Sequence, residues 1–367
     1  MRAGGQTRAS DIPILRLRSQ GIAHSNFESP QSTIGWMGAI QAQDFLMSRW
    51  AVGVRLPGST ERSVLAAVNE GSIIRTHLLR PTWHLAAAAD VRWLLRLSAP
   101  QIRARMKFRD KQLGLTEPLY ARADRVLEKA LRDGAHCTRE ELIAGFRKAR
   151  IAVDENRASH LFLRAELDGV ICSGAFRGNK PTYASFDQRV PSSRPMAREE
   201  ALAALALRYF ASHGPATVED FTWWSGLSAR DARRAVQIVK GSFVSVEIDS
   251  RTYLAVDGRH APSRGRQPVH LLPAYDEFLI GYADREAILG RVNEKNAISS
   301  NGLFRPIIVE NGRVIGVWSR RAARGGAEIE AALFGSPGTA LRAGIEASLA
   351  RLEAFWGVKA SLAYRVI

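Results

Sequence analysis

Two glutamines lie one residue apart in the run I-Q-A-Q-D, which spans residues 40–44 of an otherwise apolar segment. A carboxamide donates and accepts hydrogen bonds but does not titrate, so neither Gln41 nor Gln43 can serve as a general base. Two amides can, however, hold a water molecule in a fixed orientation. That is enough only for a reaction whose leaving group departs readily and leaves an electrophile that traps the water.

Hydrolysis of the N-glycosidic bond to an N-alkylated purine is a reaction of this kind, because the cationic base leaves as a neutral molecule. The positioned water would then meet an oxocarbenium-like sugar. Asp44 follows the second glutamine and could offer negative charge to that cation, cap a helix or pair with an arginine. The spacing alone favours a simpler interpretation, a polar turn at the end of a helix.

An internal repeat surrounds the motif. Three segments share one order of elements, namely an amphipathic helix that ends at a glycine, a strand, a polar turn and a second strand. The glycines are Gly71, Gly169 and Gly241, and the second strands begin at Thr82, Thr182 and Thr252. Further helical patterns precede each hairpin, so each unit is predicted to contain three helices and a hairpin, which is the winged-helix plan.

Capping residues mark the helix starts in the second and third units. They are Thr138 with Glu141, Thr217 with Asp220, and Ser228 with Asp231. A hydroxyl followed three residues later by an acid is the pattern of a helix N-terminus.

The last part of the chain, from about residue 263, is rich in turn residues and strand-like runs. Asn311-Gly312 between apolar runs predicts a two-residue hairpin turn. We therefore expect an α+β chain in which three tandem winged-helix motifs precede a β-rich C-terminal domain. The expected domains are residues 1–110, 111–192, 193–258 and 259–367.

The chain of 367 residues carries a formal net charge of +16, with a pI near 10.5. Such an excess of cations attracts polyanions and favours nucleic acid over an anionic membrane surface as the partner. No apolar run is long enough to span a bilayer, and the N-terminal M-R-A-G-G-Q-T-R lacks the apolar core of a signal peptide. We expect a cytoplasmic protein.

Basic residues concentrate in two places. The segment 92–111 supplies Arg103, Arg105 and Lys107 as candidate phosphate contacts, although a solvated helix face is the alternative interpretation. The first hairpin supplies Arg75, His77, Arg80 and His84, several of which should project to one side because they alternate with apolar residues.

Aromatic and metal-ligating residues give weaker signals. Trp83 and one of the pair Trp223 and Trp224 are expected in the core. Cys137 and Cys172 lack paired spacing, and the histidines show no H-E-x-x-H pattern. We therefore expect no disulfide framework, no metal and no cofactor.

Four phrases resemble those of a known family, in the same order from near residue 35 to near residue 320. They are I-Q-A-Q-D-F-L-M-S-R-W-A-V-G-V-R-L, I-I-R-T-H-L-L-R-P-T-W-H-L-A-A-A-A-D-V-R-W-L-L, L-L-P-A-Y-D-E-F-L-I-G-Y-A-D-R and N-G-R-V-I-G-V-W. In these phrases the chain resembles the bacterial winged-helix DNA glycosylases of the AlkZ and YcaQ type.

The resemblance implies that the family's catalytic element falls on Gln41, Ala42 and Gln43. With glutamine at its third position, the chain looks like the branch associated with unhooking interstrand crosslinks and with self-resistance to DNA-alkylating natural products. The resemblance also implies that a β-hairpin of the C-terminal domain probes the minor groove. The hairpin of residues 307–318, with Asn311 and Arg313, is the candidate.

We therefore expect a monofunctional DNA glycosylase that acts on N7- or N3-alkylated purines in double-stranded DNA. Gln41 and Gln43 would orient the water, and Asp44 would be an electrostatic helper. No lysine-centred Schiff base is implied, so strand cleavage should not accompany base loss. We expect a monomer. The alternative is a non-enzymatic winged-helix transcriptional regulator.

Overall fold

The computed structural model describes residues 8–256 and 268–367. The first part of the chain contains α1 (Ile12–Ser19), α2 (Pro30–Met37), β1 (Ile40–Gln41), α3 (Phe45–Gly53) and α4 (Glu61–Glu70). Side chains of Ser29, Asp44 and Thr60 accept hydrogen bonds from backbone N–H groups in the first turns of α2, α3 and α4. These caps fix where the three helices begin.

A three-stranded sheet follows the first helices. β2 (Ile73–Leu78) and β3 (Thr82–Ala87) form an antiparallel hairpin, and β1 adds to β3 to give the order β1-β3-β2. β3 begins at Thr82, as the repeat predicts. The register places Gln41 opposite His84, so the sheet brings the glutamine motif beside the hairpin.

The basic segment forms one long helix. α5 (Ala88–Gln112) follows directly from β3 and contains the run from Arg92 to Lys111. Ile102 and Met106 continue its apolar face and are buried. The helix ends at Gln112, two residues past the first domain boundary that the sequence predicts.

The second unit comprises α6 (Glu117–Ala130), β4 (Cys137–Thr138), α7 (Arg139–Lys148), α8 (Arg157–Leu167), β5 (Ile171–Ser173), β6 (Thr182–Ser185) and α9 (Phe186–Arg189). Thr138 and Glu141 form the predicted capping box of α7, and β6 begins at the predicted Thr182. The strands pair in the order β4-β6-β5.

The third unit comprises α10 (Arg198–His213), α11 (Val218–Ser225), α12 (Ala229–Ile238), β7 (Phe243–Ile248) and β8 (Arg251–Val256). Thr217 and Ser228 cap α11 and α12, as predicted. β8 begins one residue before the predicted Thr252. The predicted boundary between residues 258 and 259 lies outside the described residues.

The C-terminal part comprises β9 (His270–Leu272), α13 (Glu277–Ile280), α14 (Glu286–Leu289), α15 (Glu294–Ala297), β10 (Ile307–Glu310), β11 (Arg313–Ala323), β12 (Gly326–Leu333), α16 (Thr339–Trp356) and β13 (Ala360–Val366). Its sheet has the order β13-β12-β11-β10-β9, with β12 and β13 parallel and the other neighbours antiparallel. Asn311 and Gly312 form the β10–β11 turn with positive φ, as predicted.

One apolar core joins the first unit, the third unit and the C-terminal part, whereas most apolar residues of the second unit form a separate core. Trp50, Trp224 and Trp318 are buried in the joint core. Their indole N–H groups donate to the carbonyl of Leu271, the carboxylate of Glu277 and the carbonyl of Leu272. The segment 271–277 therefore lies where these parts meet. In the described ranges, no helix could cross a membrane.

Candidate active site and nucleic-acid interface

Gln41 is held at both its backbone and its side chain. It is the last residue of β1 and is only 5% exposed. Its backbone N–H donates to Oε1 of Glu277 at 2.8 Å, and its side-chain Oε1 accepts from Nη2 of Arg80 at 2.8 Å. Because Arg80 can only donate, the amide oxygen of Gln41 must face it, which fixes the orientation of the amide group.

Glu277 joins the glutamine to the C-terminal part of the chain. It begins α13, is 1% exposed, and accepts from the indole N–H of Trp224 at 3.0 Å through Oε2. Burial acts to raise the pKa of this carboxyl, but His213, the Gln41 N–H and His84 together hold that pKa below its ordinary value. Glu277 is therefore a buried carboxylate that positions Gln41. The sequence analysis missed it, although adjacent acids in the apolar run L-L-P-A-Y-D-E-F were a signal.

A second buried ion pair anchors the same segment. Arg55 donates to both carboxylate oxygens of Asp276, each at 2.8 Å, and to the side-chain oxygen of Gln20 at 2.7 Å. Both charged side chains are fully buried. Such bidentate pairs fix geometry as well as charge, so the backbone that presents Glu277 is itself held in place.

His84 lies beneath the glutamine and not on the surface. It is 1% exposed, and its Nδ1 lies 2.9 Å from the carbonyl oxygen of Thr82, so Nδ1 carries a proton and donates. Burial, aided by the charge of Arg80, lowers the pKa of His84 to about 4. The sequence predicts that His84 contacts DNA, but in this structure it is buried and β1 pairs alongside it, with Gln41 opposite His84.

Gln43 and Asp44 face outward. Both are exposed, and the Gln43 side chain makes no hydrogen bond within the described part of the chain. Asp44 is the N-cap of α3, and its Oδ1 accepts from the Met47 N–H at 3.0 Å. One of the interpretations left open for Asp44, that it caps a helix, is therefore confirmed.

Ala42 fixes the backbone between the two glutamines. It is fully buried, and its N–H donates to the carbonyl of Trp83 at 2.7 Å. Its carbonyl accepts from Nε and Nη2 of Arg75 at 3.1 and 3.0 Å. The guanidinium of Arg75 also lies over the Trp83 ring, 4.1 Å from its centroid. Arg75 therefore supports the motif from inside the protein instead of reaching outward.

The second unit covers the outer face of the first hairpin. The Arg75 N–H donates to the hydroxyl of Ser173, and the His77 ring nitrogen Nδ1 lies 2.8 Å from Oε2 of the fully buried Glu166. Arg75 and His77 alternate with buried residues along β2, as predicted, but the side of the hairpin to which they project is covered by Ser173 and Glu166 of the second unit. Arg75 and His77 are thus engaged within the protein, and the sequence could not show this because their partners lie about 90–100 residues away.

Trp223 presents an exposed aromatic face next to the motif. It is 42% exposed, and its indole N–H donates to the carbonyl of Ile280 at 2.8 Å. The guanidinium groups of Arg80 and Arg285 lie 5.3 and 5.2 Å from the centre of its rings. Trp224, its neighbour, is the core residue of the pair, so the prediction that one of the two is buried is confirmed.

An open concavity of about 600 Å³ lies beside Trp223. Its lining includes Arg80, Arg105, Thr222 and Arg233. At its edge, Nη2 of Arg105 donates to the carbonyl of Gly226 at 3.3 Å. Guanidinium groups around an aromatic face suit a nucleic-acid strand, because they meet phosphates while the ring can stack on a base or sugar.

The predicted phosphate contacts on α5, Arg103, Arg105 and Lys107, differ in how far their charges are free to meet DNA. Arg103 forms an ion pair with Asp168 and donates to the carbonyl of Leu167, so its charge is partly used within the protein. Lys107 is exposed. Of the three, Arg105 and Lys107 therefore face solvent most openly.

The two C-terminal hairpins are presented differently. Asn311 and Arg313 are exposed, but Gly312 between them is buried, and a Cβ there would lie 2.6 Å from Cβ of Pro13. The predicted groove-probing turn is thus packed against α1. The β11–β12 hairpin is longer, and its tip carries Arg321 and Arg324, both exposed.

Comparisons with known proteins identify the family to which the chain belongs. The family model described as DNA glycosylase AlkZ-like matches residues 34–355. An interstrand DNA cross-link repair glycosylase from Streptomyces sahachiroi is 24% identical over an alignment of 324 residues that covers 83% of this chain and 85% of that protein. The structure of Streptomyces sahachiroi DNA glycosylase AlkZ matches with a TM-score of 0.83 at 21% identity, over 99% of this chain and 100% of that one. The solved structure shows a shared fold of helices and strands, and the family model shows that this chain belongs to the AlkZ-like DNA glycosylases.

Proposed function

We propose that the chain is a monofunctional DNA glycosylase that hydrolyses the N-glycosidic bond of N7- or N3-alkylated purines, including purines within interstrand crosslinks. The observation that carries this proposal is the pairing of a fixed Gln41 with an exposed Gln43. Family membership supports the class of reaction, and the curated relative is named for repair of interstrand cross-links.

The reaction needs little proton transfer from the protein. As the bond between C1′ and N9 breaks, its electron pair moves to the cationic purine, which leaves as a neutral base. The oxygen of a water molecule then adds to C1′, and the surplus proton passes to solvent. A carboxamide oxygen has two lone pairs, so Oε1 of Gln41 can accept from this water while it accepts from Arg80. Asp44 supplies negative charge near the oxocarbenium-like sugar.

DNA binding rests on charge spread over several elements. Arg105, Lys107 and the concavity beside Trp223 supply phosphate contacts and a stacking surface. We assign the three units of helices and a hairpin as tandem winged-helix motifs, with α5 as the link between the first two. The exposed arginines of the β11–β12 hairpin make it a better minor-groove element than the β10–β11 turn, which is packed against α1. A monomer suffices for this arrangement.

Release of the base from a defined duplex tests the proposal. One substrate carries a single N7-methylguanine and another a nitrogen-mustard crosslink, and base loss is read as an alkali-labile site. We expect base release from both duplexes, without strand cleavage before alkali. DNA binding with no alkali-labile site from either would contradict the proposal. Binding that depends on sequence more than on salt would instead indicate a regulator, which the family match does not favour.

A variant lacking both amides separates chemistry from binding. Replacing Gln41 and Gln43 by alanine should lower base release at least about a hundredfold, the order seen when a catalytic hydrogen-bonding group is lost. DNA affinity should change less than about twofold, because other residues contact the phosphates. Gln31→Ala, at an exposed glutamine on α2, is the matched control and should retain full activity. An equal loss of binding in the double variant would assign the amides a structural role.

A further inference from the structure

Arg80 lies in the turn between β2 and β3 and reaches both the glutamine motif and the concavity beside Trp223. On one side, its Nη2 donates to Oε1 of Gln41 at 2.8 Å. On the other side, its guanidinium lies 5.3 Å from the centre of the Trp223 rings, and the side chain lines the concavity. A single guanidinium therefore lies between the buried amide and the surface that we assign to DNA.

The third unit holds this turn in place. Gly226 follows α11, and a Cβ built there would lie 2.5 Å from the carbonyl oxygen of Leu79 and 3.3 Å from Cγ of Arg80. Only glycine allows so close an approach. Leu79 itself has a positive φ of 58°, a costly conformation that persists only where the surrounding structure holds it. The side chain of Arg80 thus begins at a backbone position that the packing of two units fixes.

The charge of Arg80 lacks the kind of partner that the buried Arg55 has in Asp276. Among the described residues, no carboxylate forms an ion pair with Arg80. Its Nη2 bonds a neutral amide, and its buried Nε has no hydrogen-bond partner there. Burial lowers the pKa of this guanidinium, and the charge of Glu277 offsets only part of that effect. A partly buried cation without an ion-pair partner, beside an open concavity, favours an anion as the missing partner.

The lining of the concavity also favours an anion. It carries three arginines, Arg80, Arg105 and Arg233, and one acid, Glu219. A phosphodiester offers two free oxygens that accept from guanidinium N–H groups. Nη1 of Arg80 makes no hydrogen bond within the described part of the chain. DNA in the concavity therefore offers Arg80 the anionic partner that the described residues do not supply.

The shape of the guanidinium ties such a phosphate to the reaction centre. Nη1 and Nη2 belong to one planar group, so a phosphate oxygen at roughly 2.8 Å from Nη1 is separated from Oε1 of Gln41 only by the width of that group. We therefore expect the contact to fall on a phosphate of the target nucleotide or of its immediate neighbour. Because the donors of the guanidinium are fixed relative to one another, a bond to the phosphate also restricts the bond to the amide.

We propose that Arg80 is a positioning residue that couples DNA docking to the orientation of Gln41, because it donates to the amide and to a DNA phosphate at the same time. The inference rests on the proposed glycosylase function and adds how binding prepares the site. With the phosphate bound, the guanidinium is held at both ends. A misplaced catalytic group lowers the rate of the bound complex, so the coupling acts on the rate of base release more than on affinity.

Neutral linkages in the DNA test the inference in the full-length protein. One duplex carries an N7-methylguanine and only phosphate linkages. The others carry in addition one methylphosphonate linkage, which lacks the phosphate charge, at successive positions around the lesion on either strand. The maximal single-turnover rate of base release and the half-saturating protein concentration are measured on each. For the wild type, we expect one linkage next to the lesion to lower the rate about tenfold, the order of one charge-assisted hydrogen bond, with a smaller effect on the half-saturating concentration.

Two variants at Arg80 complete a cycle between protein and DNA. Arg80→Ala removes both the charge and the bond to Gln41, whereas Arg80→Gln removes the charge but keeps an N–H donor, so it also serves if the alanine variant does not fold. In both variants the sensitive linkage should lower the rate less than about twofold, because the phosphate has lost its partner. Arg125→Ala, at an exposed arginine on α6, is the matched control and should keep the wild-type rate and the wild-type sensitivity.

The possible failures are distinguishable. If no neutral linkage lowers the wild-type rate, or if the sensitive linkage has the same effect in the Arg80 variants, Arg80 does not act through a phosphate and the inference is overturned. An effect confined to the half-saturating concentration would make Arg80 a plain DNA contact and would also overturn it. Failure of the wild type to release methylguanine from the duplex with only phosphate linkages would instead contradict the proposed function itself.

Discussion

The two glutamines of the motif are separated by one residue but lie in different surroundings. The inner half of the site consists of Gln41, Arg80, His84 and Glu277, which are linked by hydrogen bonds and charge in the interior. The outer half consists of Gln43 and Asp44, which are both exposed to solvent. One short motif thus joins a rigid region to an accessible one.

The contrast between buried Gln41 and exposed Gln43 suggests how a site built from amides, which do not titrate, can be held in position. If the two amides orient water as proposed, only Gln41 has to be fixed by the protein, and the exposed Gln43 can adapt to water and substrate. A buried carboxylate is costly to keep without partners, so the inner half should be sensitive to single changes in charge. Single changes in charge in the outer half should leave the free energy of unfolding almost unchanged but should lower the rate of base release.

Glu277→Gln should break the inner half most strongly. The change removes a buried charge near Arg80 and places an amide N–H against the indole N–H of Trp224 or the backbone N–H of Gln41. We expect a loss of about 4 kcal/mol in the free energy of unfolding, as for a broken buried pair, measured by urea denaturation. Base release should also fall, with a lower kcat at unchanged DNA affinity.

The matched control for that variant is Glu286→Gln. Glu286 pairs with Arg291, but both side chains are more than half exposed, so its loss should cost less than about 0.5 kcal/mol. Similar destabilisation by the two variants would contradict the special position of Glu277.

Lowering the pH should reduce the free energy of unfolding through protonation of His84 in the unfolded chain. Its pKa is lowered to about 4 in the folded protein, from an ordinary value of 6.5. As the pH falls, the unfolded chain binds the proton first. The stability from a neutral His84 is therefore complete above about pH 6.5 and falls by about 3 kcal/mol by pH 4.

Comparison with His84→Asn isolates this contribution. The free energy of unfolding is measured at pH 7 and pH 4 for both proteins, and the loss on acidification should be about 3 kcal/mol smaller in the variant. His270, whose pKa is also lowered to about 4 by burial, contributes equally to both proteins. The same pH dependence in the two proteins would show that His84 does not titrate in this way.

Asp44 gives the smallest expected change in stability and separates its two roles. Asp44→Ala removes the cap of α3 and should cost about 1 kcal/mol, whereas Asp44→Ser keeps a capping oxygen and should cost only a few tenths. If the carboxylate also stabilises the sugar cation, both variants should release base about tenfold more slowly. Full activity in Asp44→Ser would leave Asp44 as a helix cap alone.

Local signals in the sequence predicted much of the fold. The capping pairs at Thr138, Thr217 and Ser228 and the turn at Asn311-Gly312 depend on neighbouring residues, and all four form as predicted. The hairpin strands at Thr82 and Thr182 also begin where the repeat indicates. The α5 helix ends at Gln112, two residues past the predicted boundary, although its last buried residue is Met106.

By itself, the sequence determined which residue types the site contains, since the amide pair and the acid after it are consecutive letters, and non-titrating groups restrict the chemistry. Only the tertiary structure decided which of them is buried and what holds it. Glu277, Arg80 and Trp224 come from distant parts of the chain to meet Gln41 or each other. The same packing buried His84 and engaged Arg75 and His77. Partners so far apart in the chain leave no periodicity in the sequence, because their contacts depend on how whole units pack.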